Sequence, residues 1–448
     1  MSLTPAALTE RLIDAARKAG ADAADAIAVA GTSVSIGVRD GKLEEAERSE
    51  GTDIGLRVLI GQQQACVSSS DTKDDTIRTM AERAVAMARE APEDPFVGLA
   101  DPDQLASEWN IAALELADPS DEPEAETLQS DALRAEAAAR AVDGVSQVQS
   151  ASAAYGKRSI HLATTGGFRG GYDRTDRGTG CVAITGSGTN MERDAFGDYR
   201  IFQADVISPE EIGRIAGKRA VARAGSRKPP TGAFPVLYDE RISGSLIGHL
   251  LSAINGTAVA RGATFLRDAL DEQVLPATLT LTEDPHRKRV SGSKPFDGEG
   301  LPTRRRDIVA NGILTGWVLD LATGRKLGMA STANAARGTT APPSPSVSNV
   351  SLTQSDRSRD DLIRDMGTGL LVTSMIGATI NPNTGDYSRG ASGFWVENGE
   401  VTYPVNECTI AGNLRDMLRT IQPANDARLH LSRVIPSLLV EGMTIAGA

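Results

Sequence analysis

The chain has 448 residues, room for two to four domains of about 100–200 residues each, with 40% hydrophobic residues, 24% charged residues and a formal net charge of −12. That charge argues against a broad nucleic-acid footprint, which needs an excess of Lys and Arg, and 4% aromatics leave few platforms for stacking bases. Cys66, Cys181 and Cys408 are odd in number and far apart, which excludes a disulfide framework or a paired-cysteine zinc motif.

Charges inside the apolar pattern of Met1 to Arg17 are unlike a signal peptide. No apolar run approaches the roughly 18 residues that span a bilayer, so a reducing, cytoplasmic compartment is expected. Leu8, Leu12, Ile13 and Ala16 form a helical stripe that Gly20 stops. Short β-rich runs follow at 26–30, 33–39, 42–48, 54–60 and 65–69, divided by Gly31, Gly41, Gly51 and Gly61. Strands this close cannot be joined by helical crossovers, so the spacing predicts an antiparallel meander. Ile77, Met80, Ala81, Ala84 and Met87 mark a helix over 75–90.

Residues 90–127 hold twelve Asp or Glu, five Pro and no Lys or Arg. They read as a connecting segment or surface excursion anchored by Trp109, Ile111 and Leu114. An Ala-rich helix over 128–142 precedes strands at 145–155, 158–163, 167–173, 181–186 and 190–199. A helix over 209–224 follows, with Ser208 as cap and Pro209 at its first position. The order helix–strands–helix thus occurs twice, without residue-level identity between the two.

Residues 227–232 read as a domain linker. The expected organisation is an N-terminal α+β domain over 1–226, with sub-units 1–90 and 127–226 joined by the acidic segment 90–127. A C-terminal β-rich domain covers 232–448. It opens with a strand at 234–238 and a helix over 240–255. It also contains a hairpin in which strands 393–397 and 401–405 flank Asn398-Gly399, a dipeptide that tolerates positive φ. The fold class is α+β: helix–antiparallel-strand units in the first half, mainly antiparallel β with few helices in the second.

Residues suited to chemistry are scarce. His161, His249, His286 and His430 are the only histidines, and none starts a His-Glu-x-x-His motif. A catalytic zinc needs three protein ligands and an open position, so a site here requires distant residues to converge. His249 lies at the margin of the apolar stripe Ile242, Leu246, Leu250 and Ile254, beside Ser245 and Ser252. It reads as a half-buried helix histidine or as a polar group lining a cavity. Cys408 reads as a small buried hydrophobe, since a nucleophile needs a base and no histidine is near it in sequence. The runs Arg287-Lys288-Arg289 and Arg304-Arg305-Arg306 read as a solvated face or ion pairs. The glycine-rich pieces fit neither a dinucleotide fingerprint nor a P-loop, and no Gly-x-Ser-x-Gly elbow occurs.

Several strings nevertheless carry a resemblance. They are Gly385-Asp386-Tyr387-Ser388-Arg389-Gly390, Tyr403-Pro404-Val405, Ile410-Ala411-Gly412-Asn413-Leu414, Phe296-Asp297-Gly298-Glu299-Gly300 and Ser348-Asn349-Val350, with Arg39-Asp40-Gly41-Lys42-Leu43-Glu44 and Gly55-Leu56-Arg57-Val58 in the first half. Together they resemble the TldD/PmbA family, specifically its PmbA branch, also called TldE. The resemblance implies one subunit of a TldD–TldE heterodimer, a zinc-dependent peptidase acting on small or unfolded peptides such as microcin-type precursors. In the TldD branch the helix that opens the C-terminal domain carries His-Glu-x-x-x-His. Set against that motif, Gly248 falls near the first His, His249 near the Glu and Ala253 near the second His. Glycine and alanine have no ligating side chains. The expectation is therefore no catalytic residue and no metal in this chain, zinc in a TldD-type partner, and His249 and Cys408 as cavity-lining candidates. Two alternatives stay open: a homodimeric, non-enzymatic binding protein of the gyrase-modulator type, and an autonomous metalloenzyme built from His249, Cys408 and carboxylates.

Overall fold

Of the four glycines that divide the first strand-rich stretch, two make turns and two do not. Gly41 and Gly61 have φ of 70° and 53° and close tight turns, whereas Gly31 and Gly51 face each other across two strands. A Cβ on Gly31 would lie 2.7 Å from the Lys157 carbonyl oxygen, so glycine there admits a neighbouring strand, not a bend. The five short strands expected over 26–69 are therefore three long ones. The same holds for 145–163 and 167–186, where two expected pairs of strands are two continuous ones.

The computed structural model describes residues 3–447. Helix α1 (Pro5–Lys18) leads into β1 (Ala23–Arg39), β2 (Lys42–Ile60), β3 (Gln63–Ser69) and α2 (Asp74–Glu90). The short α3 (Ile111–Leu114) and then α4 (Ala125–Arg140) precede β4 (Val145–Thr164), β5 (Arg169–Thr185), β6 (Glu192–Arg200) and α5 (Pro209–Val221). The strands form one antiparallel sheet in the order β3-β2-β1-β4-β5-β6. The two helix–strands–helix units meet at β1 and β4, whose register runs from Asp25–Thr164 to Val38–Ala151. Because β1 and β4 are long, each helps to floor both helix pairs. Helices α1 and α2 pack on Ala24, Ala26, Ala28, Leu56 and Val58, while α4 and α5 pack on Val34, Ile36, Val38, Ala151, Ala153 and Ala183.

The acidic stretch is held by its few apolar residues. Leu114 and Leu116 are buried, and the Trp109 ring lies 5.6 Å from Phe168 and 5.1 Å from Phe296. Its Glu115 takes up two cations of a basic run, Lys288 and Arg289.

The second half begins with β7 (Gly232–Tyr238), α6 (Glu240–Ala253) and α7 (Gly256–Ala260). An irregular stretch follows with β8 (Leu281–Glu283), β9 (Arg306–Ala310), β10 (Ile313–Leu314), α8 (Leu321–Lys326), β11 (Ala335–Ala336), β12 (Ser344–Pro345) and β13 (Val350–Leu352). It closes with α9 (Arg359–Met366), β14 (Gly369–Ile380), β15 (Asp386–Glu397), β16 (Glu400–Asn413), α10 (Leu414–Thr420), β17 (Gln422–Pro423), β18 (Arg433–Val434) and β19 (Leu438–Ala446). The main sheet runs β16-β15-β14-β7-β19-β17, and β16 also pairs with β19. All its pairings are antiparallel except β7 with β14. The Asn398-Gly399 turn joins β15 to β16, with φ of 54° and 77°, as the dipeptide predicts.

The halves meet across the sheet face that the N-terminal helices leave open. Phe296 packs there on Phe168, Ile27 and Leu162, and Asp25 is buried between Arg57 and Arg337. Among the described residues no helix is long and apolar enough to cross a membrane.

Candidate functional site

Asp239 starts α6. Its carboxylate accepts from the Arg241 backbone N–H at 3.2 Å and pairs with Arg241 and Arg359. Burial opposes its ionisation, but Arg241 and Arg359 hold its pKa below the usual carboxylate value. From this cap the apolar face of α6 (Leu246, Ile247, Leu250, Leu251) enters the core of the C-terminal half. Ile242 of the expected stripe is only half-buried. The opposite face, Gly244, Ser245, Gly248, His249 and Ser252, stays partly open.

The expected helix residues therefore point in different directions. Ala253 is inside the core, 6% exposed. Gly248 is half-buried, and the direction a side chain would take is filled: a Cβ there would lie 3.1 Å from Arg433 Nη1. His249 stands between them, its ring edge-on to Tyr387 at 5.7 Å. Its Nε2 is buried with no hydrogen-bond partner. Burial and the nearby Arg389 push its pKa down, so the ring is neutral at pH 7. Behind it, Tyr238 and Tyr387 share a hydroxyl contact of 3.4 Å, and Tyr387 reaches Met375 Sδ at 3.5 Å.

Met375 leads to the second candidate. It lines a cavity of about 580 Å³ with Cys408, Ser392, Asn406, Glu407 and Arg223, between β6 and the outer halves of β14, β15 and β16. Cys408 is 5% exposed and donates to the Ala391 carbonyl at 3.2 Å. Burial pushes its thiol up to about 11, so it is no thiolate at neutral pH. No hydrogen bond or ring contact joins Cys408 to His249 among the described residues.

Sequence reasoning missed what shapes this cavity. Register slips occur at one level of the sheet, between Val372 and Ser374 and between Ala391 and Gly393, and bulges of this kind re-aim side chains beside functional sites. Glu407 sits at the second slip with φ of 52°, a conformation unfavourable for a non-glycine residue. Neighbouring ties hold the cleft. Arg223 donates to Ser392 Oγ at 2.8 Å, and Asn406 donates to Glu192 at 2.8 Å. No residue-type signal marks Glu407 or Arg433 in the sequence. A turn-forming Asn406 before an acidic residue was the nearest hint.

These residues do not fit a zinc ion. Gly248 offers no side chain, Ala253 is buried and apolar, and the guanidinium of Arg433 already places a positive charge beside position 248. No group of three His, Cys, Asp or Glu among the described residues converges closely enough to hold a metal. What the arrangement offers is a cleft lined by a protonated thiol, with a neutral imidazole on the neighbouring helix.

Comparison with known proteins places this geometry. Residues 24–88, 118–224 and 231–447 match family models described as PmbA/TldA metallopeptidase domain 1, central domain and C-terminal domain. The chain is 35% identical over 419 residues to "Metalloprotease PmbA" of Escherichia coli O157:H7, covering 93% of this chain and 90% of that protein. It is 36% identical over 445 residues to a PmbA homologue of Haemophilus influenzae, covering 97% and 94%. A crystal structure from Bacteroides thetaiotaomicron, described as a putative modulator of DNA gyrase, superposes with a TM-score of 0.88 at 26% identity, covering 98% of both chains. TldE from Thermococcus kodakarensis has the same fold, with a TM-score of 0.83 at 20% identity over 98% of this chain and 100% of that one.

Proposed function

The chain belongs to the PmbA/TldD metallopeptidase family, in its PmbA (TldE) branch, and from that premise we propose that it is the non-zinc-binding subunit of a two-component peptidase. A TldD-type homologue supplies the zinc, and the heterodimer processes small or unfolded peptides such as microcin-type precursors. The observation that carries this reading is the state of α6. Its Gly248 and Ala253 cannot ligate, and Arg433 stands over the first of them.

The role left for this chain is to shape the substrate chamber. Strand β14 pairs with β7 only over Leu370–Val372, so its outer half from Ser374 to Ile380 has one free edge. That half is mostly exposed, and Ile376 is 79% exposed beside the cavity that Cys408 lines. A free edge holds an extended peptide through backbone hydrogen bonds, which suits sequence-tolerant binding.

The test uses purified full-length chain, a TldD homologue, and both together, with an unstructured peptide as substrate. The mixture cleaves and loses activity to a chelator, whereas this chain alone carries no stoichiometric zinc and cleaves nothing. Cleavage by the lone chain that disappears in His249→Ala would overturn the proposal.

A further inference from the structure

A second cavity, of about 900 Å³, opens in the N-terminal half between the start of α1, the acidic stretch and strands β4 and β5. It contains an unfinished sheet edge. Strand β5 pairs with β4 from Ala163–Arg169 onwards, but with β6 only from Arg177. Between these limits the Thr175 N–H turns outward and donates to the Leu116 carbonyl at 3.1 Å. Residues two apart in an antiparallel strand present their N–H and C=O to the same side. Asp173 and Gly171 therefore present theirs outward as well, and no described residue takes them up. Both residues line the cavity.

The floor beside this edge is built for acceptors. The Thr9 hydroxyl lies 2.9 Å from the Ala6 carbonyl and 2.8 Å from His161 Nδ1, so when its one proton is on the carbonyl it accepts from the imidazole. In that arrangement the His161 proton sits on Nδ1 and Nε2 is an acceptor. Gly171, the cross-strand partner of His161, makes room for the ring, since a Cβ there would lie 2.8 Å from His161 Cδ2. Ser159 donates to one oxygen of Asp173, and the carboxylate keeps further acceptor capacity. Apolar wall is supplied by Ile111, Ala112 and Phe202, with the Arg289–Glu115 ion pair lying across the Phe202 ring.

A backbone edge, acceptors on one side and apolar walls on the other together specify a ligand. We propose that this cavity is a second, non-catalytic peptide site. An extended segment pairs with β5 at Gly171 and Asp173, lays apolar side chains on the walls and directs a donor, such as a lysine ammonium, to Asp173 and His161. The site lies wholly within this chain, so it does not depend on the peptidase reading.

Full-length chain without any TldD homologue is titrated with a dye-labelled hexapeptide of alternating Val and Lys, followed by anisotropy. Ala112→Trp, at the exposed rim of the cavity, weakens binding about tenfold or more, a shift of about 1.4 kcal/mol. Leu43→Asp, exposed beside the β1–β2 turn and outside the lining of both cavities, leaves it unchanged. In the complex the amides of Gly171 and Asp173 gain protection from hydrogen exchange, and thermal unfolding checks that both variants fold. No binding, no added protection at these two amides, or binding lost in Leu43→Asp but kept in Ala112→Trp would each overturn the proposal.

Discussion

Glu299 is a carboxyl group placed where water cannot reach it. It is 6% exposed and accepts from the Leu321 N–H at 2.9 Å. Its pKa is pushed up to about 8, first by burial and then by the neighbouring Asp297, with Arg57 opposing. An unfolded Glu titrates near 4.3, so between about pH 4.3 and 8 the folded chain holds a proton that the unfolded chain has lost. Stability therefore falls as pH rises through that window. Glu299→Gln keeps the shape and removes the proton equilibrium. Its unfolding midpoint relative to the parent should be higher at pH 8 than at pH 5, and a difference independent of pH would show that Glu299 is not protonated in the fold. Thiols give a second residue-scale outcome. Cys181 and Cys408 are buried and pushed up to about 12 and 11 by burial, while Cys66 is half-exposed. Mass spectrometry after brief alkylation at pH 7.5 should find Cys66 modified first and the other two only on unfolding. Burial of Cys408 was legible in the sequence, because a lone thiol with no base near it packs as a small hydrophobe, and it is 5% exposed. Glu299 was visible only as part of a familiar string, since nothing in a Gly-Glu-Gly sequence reports how deep it will lie.

Helix α6 shows what an element adds to its residues. Aligned to the metal-binding motif, positions 248 and 253 seem to need only two histidines. Their spacing is that of the motif, so what sets them apart is the surroundings into which each side chain would project. Ala253 points into the core and Gly248 towards Arg433. Gly248→His with Ala253→His should consequently bind less than stoichiometric zinc by elemental analysis. An imidazole forced into the core at 253 should also cost about 1–3 kcal/mol in chemical denaturation. One equivalent of zinc in the double variant would show that α6 retains a usable site. Element type was legible where the periodicity is long, since it reports which face is apolar and the cap residues Ser208 and Pro209 start α5 as expected, whereas the short α7 to α10 of the second half were not read. Strand length was not. Gly31 and Gly51 look like punctuation in sequence, and only the approach of β4 and the pairing across β1 and β2 reveal them as mid-strand positions.

At the scale of the whole molecule, the two halves are joined by a buried charge cluster together with an apolar seam. Asp25, from the first strand of the chain, lies between Arg57 of the same sheet and Arg337 of the C-terminal half, all three side chains nearly inaccessible. Close by, Gly55 on β2 lets the Thr339 backbone pass so tightly that a Cβ would overlap it. These contacts link positions hundreds of residues apart, which is why composition could bound two domains but not how they dock. The physics of the cluster is asymmetric. A paired buried charge contributes little net stability, but removing its partner leaves an uncompensated ion. Asp25→Ala strips two guanidiniums of their counter-charge at once and should cost about 3–5 kcal/mol, whereas Arg337→Met leaves Asp25 still paired with Arg57 and should cost less. Since the cluster spans the seam, the loss should appear as uncoupling. The parent unfolds in one calorimetric transition, and Asp25→Ala in two, the earlier one exposing the aromatic cluster of Trp109, Phe168 and Phe296 to give a tryptophan fluorescence change. A single transition shifted uniformly downward would instead mean that the apolar seam alone keeps the halves together, with Asp25 serving only the stability of the sheet.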